Sequence, residues 1–392
     1  SDVCSSDLCA HRRATRNINM TKPAPIILWG APQSLFTGRA RSYLIKTGQH
    51  YEERLIAEPR YTDDVLPKAG GRRSMPTVEL PDGTVIRDSV AIVDHFEDAL
   101  GRPATPQTPR QRVVSLLFDV IGAEGLLRPA MHYRWNFDDV QLEFLRFHFR
   151  TIVPGNDGAD ADRQMRHIRN HVNPDWGLHP GTVDVTERLY RGFLAKFDAH
   201  LAHHPYLLGG APCVGDFGLI APLYGHLGRD PVPRTLLQTD AVRVFRWVER
   251  MNNGEPDTGE YPASDHAFLP DDHVPETLID LIRHLAIDFV PETVAAHAAI
   301  NHWLATHDVA AGSECKRYAG STSFEAAGTT IPVKAQPFRF YLLARVQDAV
   351  ESLPRPDQHA VTELLEACGM AELLTLRLDR RIGRNNNLEI WL

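Results

Sequence analysis

Cysteine is scarce in this sequence: five residues in 392, scattered and odd in number, which argues against a disulfide framework. No Cys-x-x-Cys occurs, so thiol–disulfide exchange lacks its nucleophile. No apolar run is long enough to span a membrane, and no membrane partner is expected. The net charge of −8 leaves no electrostatic footprint for nucleic acid. Histidine is plentiful, at 19, yet His132, His148, His167, His171 and His179, and His200 with His203 and His204, have no carboxylates or cysteines at ligand spacing. No metal is expected. These absences leave a cytoplasmic protein long enough to bury two or three cores.

What is present concentrates between Ser74 and Ser89. Val78 and Leu80, then Val85, have the alternating character of paired strands, and Pro81-Asp82-Gly83 supplies the turn between them. Asp88 and Ser89 open a run of period near 3.6 (Val90, Ile92, Val93, Phe96, Leu100) that stops at Gly101, placing an acid and a hydroxyl at a helix start. Unsatisfied N–H groups and the positive end of the dipole point there. An isolated Asp-Ser pair would be a cap and nothing more, so the context decides. Upstream, Pro25 to Trp29 is of strand length, Leu35 to Lys46 is amphipathic and ends before Gly48, and Tyr51 to Ile56 is strand-like. The order β-α-β, linker, β-β-α over residues 25–101, with a proline opening the third strand, is the thioredoxin-like plan.

At these residues the chain resembles the glutathione S-transferase family. Leu28 to Arg41 is similar to the family's first strand and serine-bearing helix start, Met75-Pro76 to the pair at its cis-proline, and Asp88-Ser89 to its Glu/Asp-Ser pair. The resemblance implies glutathione as co-substrate, with no metal. It implies that Ser34 donates a hydrogen bond to the glutathione sulfur and is the catalytic residue, at a helix start that favours the thiolate. Met75, before Pro76, is expected to pair its backbone with the cysteinyl unit. Ser89 is expected to take the γ-glutamyl carboxylate, Asp88 the amine, and Arg73 or Arg72 the glycyl carboxylate. The chain departs from the family pattern at Leu35, where relatives often have proline, and at Gly38 inside the first helix, which costs about 1 kcal/mol against alanine.

The second region, residues 105–253, reads as all-helical. Val113, Leu116, Leu117, Val120 and Ile121 form a core-facing stripe, as do Leu189, Phe193, Phe197 and Leu201. Cys213 to Asp216 has the spacing of a capping box, so Asp216 is read as structural. The resemblance makes Tyr133 and Trp135, with Phe36, candidates for the wall of a small hydrophobic electrophile's site; ordinary core packing is the competing reading. The resulting fold class is an α/β thioredoxin-like N-terminal domain, an all-α transferase C-terminal domain, and a mainly helical extension over residues 254–392.

In that extension Val-Pro-Glu-Thr occurs at 274 and again at 290, which predicts two proline-started helices. Thr329 to Phe340 reads as a strand pair or extended cover, and Phe338–Leu353 and Asp357–Cys368 as helices. The extension is expected to pack on the second region and roof the cleft. Ser1 to Leu8 reads as translated sequencing adapter within a leader of residues 1–24, with Met20 as the start and Cys213, Cys315 and Cys368 as the native thiols. Family members are usually homodimers, and an added domain could cover or replace that interface. The leading functional expectation is a glutathione transferase acting on a small hydrophobic electrophile; the alternative is a non-catalytic binding or regulatory protein of the same fold.

Overall fold

A computed structural model describes residues 24–254 and 256–392. The expectations for the adapter and for Met20 lie outside the described residues. The first part runs β1 (Ile26–Gly30), α1 (Leu35–Lys46), β2 (Tyr51–Leu55), the single turn α2 (Leu66–Lys68), β3 (Thr77–Glu79), β4 (Val85–Arg87) and α3 (Ser89–Leu100). The sheet order is β2-β1-β3-β4, with β1 parallel to β2 and antiparallel to β3. This is a thioredoxin-like domain. Its register places Leu28 opposite Val78, both wholly buried, while β2 alternates between half-buried and exposed as a half-solvated edge does. Gly83, at φ 85°, donates its N–H to Leu80 O at 2.9 Å and closes the hairpin. The peptide bond between Met75 and Pro76 is cis.

A helical part follows: α4 (Pro109–Val120), which runs into a π-helical turn over Ile121–Gly125, then α5 (Leu127–Trp135), α6 (Asp138–Thr151), α7 (Gly158–Asp175), α8 (Val183–His200), α9 (Val214–Gly225), α10 (Pro231–Asp240) and α11 (Val242–Met251). Helix α9 is apolar and buried nearly all round, as a central helix must be. It starts with the expected box: Asp216 accepts the Cys213 N–H at 2.9 Å and also Leu207 N–H and Trp247 Nε1–H, each at 3.2 Å. Two glycines permit its crossings. A Cβ on Gly122 would lie 2.1 Å from the Gly218 carbonyl carbon, and one on Gly225 would lie 2.5 Å from Leu35 Cα. Gly38, the costly residue in α1, faces Tyr224, whose Cδ1 would sit 3.2 Å from an added Cβ.

The remaining part is α12 (Glu276–Thr306), β5 (Ser321–Ala326), β6 (Thr329–Lys334), α13 (Pro337–Glu351), α14 (Arg355–Ala367), β7 (Ile382–Asn385) and β8 (Leu388–Trp391). Two expectations are corrected here. The two proline-started helices are one helix of 31 residues, with Pro275 as its N-cap and Pro291 inside it. Pro291 removes one helical donor, but Leu285, Phe289, Val290 and Thr293 on either side are buried, so packing holds the helix through it. The strand pair begins earlier than expected, pairing 321–326 with 329–334, and a second hairpin, β7–β8, was not foreseen. Helix α12 packs on α8, and α13 and α14 on α4.

Candidate functional site

The segment entering α1 is held from the helical part. Arg134 on α5 donates Nη1–H to Gln33 O at 2.9 Å and Nη2–H to Gly225 O at 2.8 Å, and both it and its carboxylate partner Asp230 are buried. One guanidinium thus ties the start of α1 to the end of α9. Ser34 is the N-cap of α1: its hydroxyl accepts the Thr37 N–H at 3.3 Å.

Beside that segment lies a cavity of about 480 Å³ with three walls. The thioredoxin-like domain gives Phe36, Arg72, Arg73, Ser74, Met75, Arg87 and Asp88; the helical part gives Glu124 and Leu127; the extension gives Glu314–Arg317, Gln336, Phe338, Ile382 and Glu389. Asp88, at φ 81°, caps α3 by accepting the Val90 N–H at 2.8 Å. Ser89 follows it, 1% exposed, with a hydroxyl that has no hydrogen-bond partner. An unpaired buried hydroxyl beside a helix N-terminus is costly unless something polar fills it.

The structure therefore brings Phe36, Arg73, Met75 and Asp88 to one cavity; Pro76 and Ser89, next in sequence to Met75 and Asp88, are buried and do not line it. Ser34 is half-buried two residues from Phe36, and the lining from α1 is Phe36 itself. Neither arginine waits for a ligand. Arg73 donates to Ile56 O at 2.9 Å and Thr62 Oγ1 at 3.2 Å and lies over the Tyr61 ring. Arg72 is bound to Glu314 and Glu389 of the extension.

Tyr133 and Trp135 are not brought to this cavity. Tyr133, 2% exposed, stacks on Phe137 at 5.6 Å and edges a separate groove with Glu187 and Arg191. Trp135, 3% exposed, packs against Phe149 with Arg169 over its ring. Two residues apart on α5, they leave the helix in nearly opposite directions, and each is buried among aromatic neighbours of its own.

Among the cavity's charged residues, sequence reasoning singled out Arg72, Arg73 and Asp88 but missed Arg87, Glu124 and Glu389. Glu389 on β8 accepts from Arg87 Nη2 with both oxygens at 2.8 Å, from Arg72 Nη1 at 2.9 Å, and pairs with Arg384 at 3.0 Å. Burial pushes its carboxyl up, but the Arg87 and Arg384 guanidiniums prevail and hold it below the usual glutamate range. Asn387 in the β7–β8 turn pairs with the edge strand β4, accepting Arg87 N–H at 3.0 Å and donating to Val85 O at 2.9 Å. Nothing local signals such pairing. Glu124 did leave a signal: it falls on the apolar stripe of Val113, Leu117, Val120 and Ile121, where an acid needs a reason. It is 5% exposed, its Oε2 has no partner, and burial raises its pKa to about 7 against the opposing pull of Arg339 and Arg317. The thiols are inert by contrast: burial pushes Cys315 up to about 12 and Cys368 to about 11.

Residues 28–104 match the family model described as "Glutathione S-transferase, N-terminal domain". That stretch holds Ser34, Met75-Pro76 and Asp88-Ser89. Among solved structures, a beta-etherase from Sphingobium sp. strain SYK-6 is 18% identical with a TM-score of 0.42, covering 60% of this chain and 98% of its own. A glutathione transferase from Phanerochaete chrysosporium is 14% identical with a TM-score of 0.41, covering 59% and 98%. The protein Gtt2 from Saccharomyces cerevisiae is 17% identical with a TM-score of 0.34, covering 60% and 99%. No curated protein matches the sequence. Among the described residues there is no group of three or more potential ligands that could hold a metal, and no helix is long and apolar enough to cross a membrane.

Proposed function

We propose that the cavity binds glutathione and that the protein is a serine-type glutathione transferase for a small hydrophobic electrophile. The observation that carries this reading is the unpartnered Ser89 hydroxyl, buried next to the Asp88 cap and the cis Met75–Pro76 bond, within the stretch matching the transferase N-terminal domain. The γ-glutamyl carboxylate fits there, because it would satisfy the hydroxyl and meet the N-terminus of α3. Met75 would align the cysteinyl unit, and the Ser34 hydroxyl would donate to the sulfur, where α1 favours negative charge. Phe36, Leu127 and Phe338 give the apolar wall that Tyr133 and Trp135 do not. Proton release accompanies thiolate formation, and Ser34 stabilises the nucleophile without becoming it.

Calorimetry with reduced glutathione and ultraviolet absorbance of the thiolate test the two halves. Uptake that Ser89→Ala abolishes, and a depressed thiol pKa that Ser34→Ala raises, are expected. No uptake at millimolar glutathione would end the proposal. A second reading, a binding or regulatory protein of the same fold, draws on the arginines of the cleft: the extension already occupies Arg72 and Arg87. Intact binding with an unshifted thiol would favour it.

A further inference from the structure

We propose that Glu124 is a proton donor in this cleft, protonating the enolate formed when the glutathione thiolate adds to an α,β-unsaturated carbonyl compound. The inference deepens the reading above and rests on glutathione binding in the cavity. Its ground is a contrast among buried carboxylates. Glu292 lies between Arg128 and Arg339 at 2.7 and 3.0 Å, Asp230 is held by Arg134, and Glu97 accepts from Tyr43, Thr105 and the Ala104 N–H. Each has a partner set that explains its burial. The Glu124 carboxylate has no such set: Arg339 pairs with Glu292, donates to Thr293 and reaches the Glu124 main-chain carbonyl at 3.4 Å rather than its Oε2, and Arg317 lies over the rings of Trp176 and Tyr318. Yet Glu124 lines the same cavity as Phe36, Met75 and Asp88, and it stands on the π-helical turn that interrupts α4 and α5, a distortion frequent at functional sites.

The charged groups facing it are Arg339 from α13, Arg317 from the loop before β5, Glu292 from α12 and Asp88 from the start of α3. With a pKa of about 7, the carboxyl keeps its proton below neutrality and can give it up near neutrality, the condition for a general acid. The step balances. Sulfur forms a bond to the β-carbon, the carbon–carbon π pair moves to give the enolate, and the Glu124 proton passes to it; the carboxylate then recovers a proton equivalent to the one released by the thiol. No oxidant or metal is required.

Two electrophiles isolate the step. An enone needs the proton; an activated aryl halide loses halide and takes up none. Because both use the same thiolate, the ratio of their kcat values removes the nucleophile's own titration. In the parent protein the enone-to-halide ratio should fall as pH rises through about 7. Glu124→Gln should lower the enone-to-halide ratio of kcat values by about 100-fold and abolish its pH dependence. Equal loss with both electrophiles in a folded variant, or a parent ratio that is flat with pH, would overturn the proposal. If Glu124→Gln does not fold, the parent profile decides alone. Parent protein that takes up no glutathione removes the underlying reading, whereas uptake with no enone turnover overturns the proton-donor role only.

Discussion

The two main walls of the cavity are built by opposite means. The wall of Ser74, Met75 and Asp88 follows from neighbours in sequence: a turn, a cis proline, a helix cap and a strand pair, all within sixteen residues. The wall of Cys315–Arg317, Phe338 and Glu389 follows from charges brought together over great separations, such as Arg87 and Glu389, 302 positions apart. Local chemistry shapes the first wall; long-range pairing closes the second over it. The second wall also commits Arg72 and Arg87 to Glu389, while Arg317, an exposed lining residue, lies over the Trp176 and Tyr318 rings with no carboxylate partner among the described residues.

The largest test removes one wall. A chain ending near residue 254 would uncover the faces of α4 and α8 that the extension covers, since Leu278, Leu281, Ile282, Leu285 and Phe289 bury their side chains in the common core. At roughly 25 cal/mol per Å² of apolar surface, loss of so many contacts should leave an aggregated product in size-exclusion chromatography. A soluble, active truncation would show that the cradle stands without its roof.

Arg134→Ala strikes the joint between the first wall and the helices. It leaves buried Asp230 without its partner and the carbonyls of Gln33 and Gly225 without their donor. Breaking such a pair costs about 3–5 kcal/mol, to be read by urea denaturation. Loss below about 1 kcal/mol would mean that the entry to α1 is positioned by other contacts.

How much was legible follows the same division. The β-α-β and β-β-α order, the turn at Gly83, the stop at Gly101 and the Asp88-Ser89 cap were readable because each is decided by dihedral preference or hydrophobic period within a few residues. Helices α13 and α14 were readable for the same reason. Pro291 misled because proline usually marks a helix start, and only packing on both flanks reveals a continuous helix. Tyr133 and Trp135 misled because a cluster of aromatics in sequence does not say where each side chain goes: two apart on a helix, they point in nearly opposite directions, and neither lines the cavity beside Met75. The β7–β8 turn left a signal that was overlooked, since Asn386 and Asn387 both take positive φ as two-residue hairpin loops require; the Glu389 cluster left none, because one glutamate becomes meaningful only once β4 presents its edge.

Glu389→Gln weakens the second wall without emptying space. Arg87, Arg72 and Arg384 lose their shared charge, and a loss of about 2 kcal/mol is expected. Because the carboxyl is held below its ordinary range, its stabilisation is present above that range and fades as pH falls through the lowered value. The parent should therefore lose part of its advantage over the variant in acid. Thermal melts across the acid range measure this, and a pH-independent gap would detach Glu389 from the hairpin's docking.

Ser89→Ala gives the smallest change in stability and the sharpest probe of the first wall. The hydroxyl it removes is buried and satisfies nothing, so its loss leaves no donor or acceptor stranded; stability should hold within about 1 kcal/mol or improve slightly. A structural role predicts the reverse, a loss on melting. A ligand role predicts an unchanged melt in the absence of glutathione, together with loss of the stabilisation that saturating glutathione confers on the parent, since a ligand that binds only the folded state raises its melting point by mass action. The same hydroxyl cannot be both idle in the empty protein and idle in the occupied one if the cradle is built for a carboxylate. Equal ligand-induced shifts in parent and Ser89→Ala would place the γ-glutamyl group elsewhere in the cavity, and the comparison of the two walls would then turn on the extension's residues.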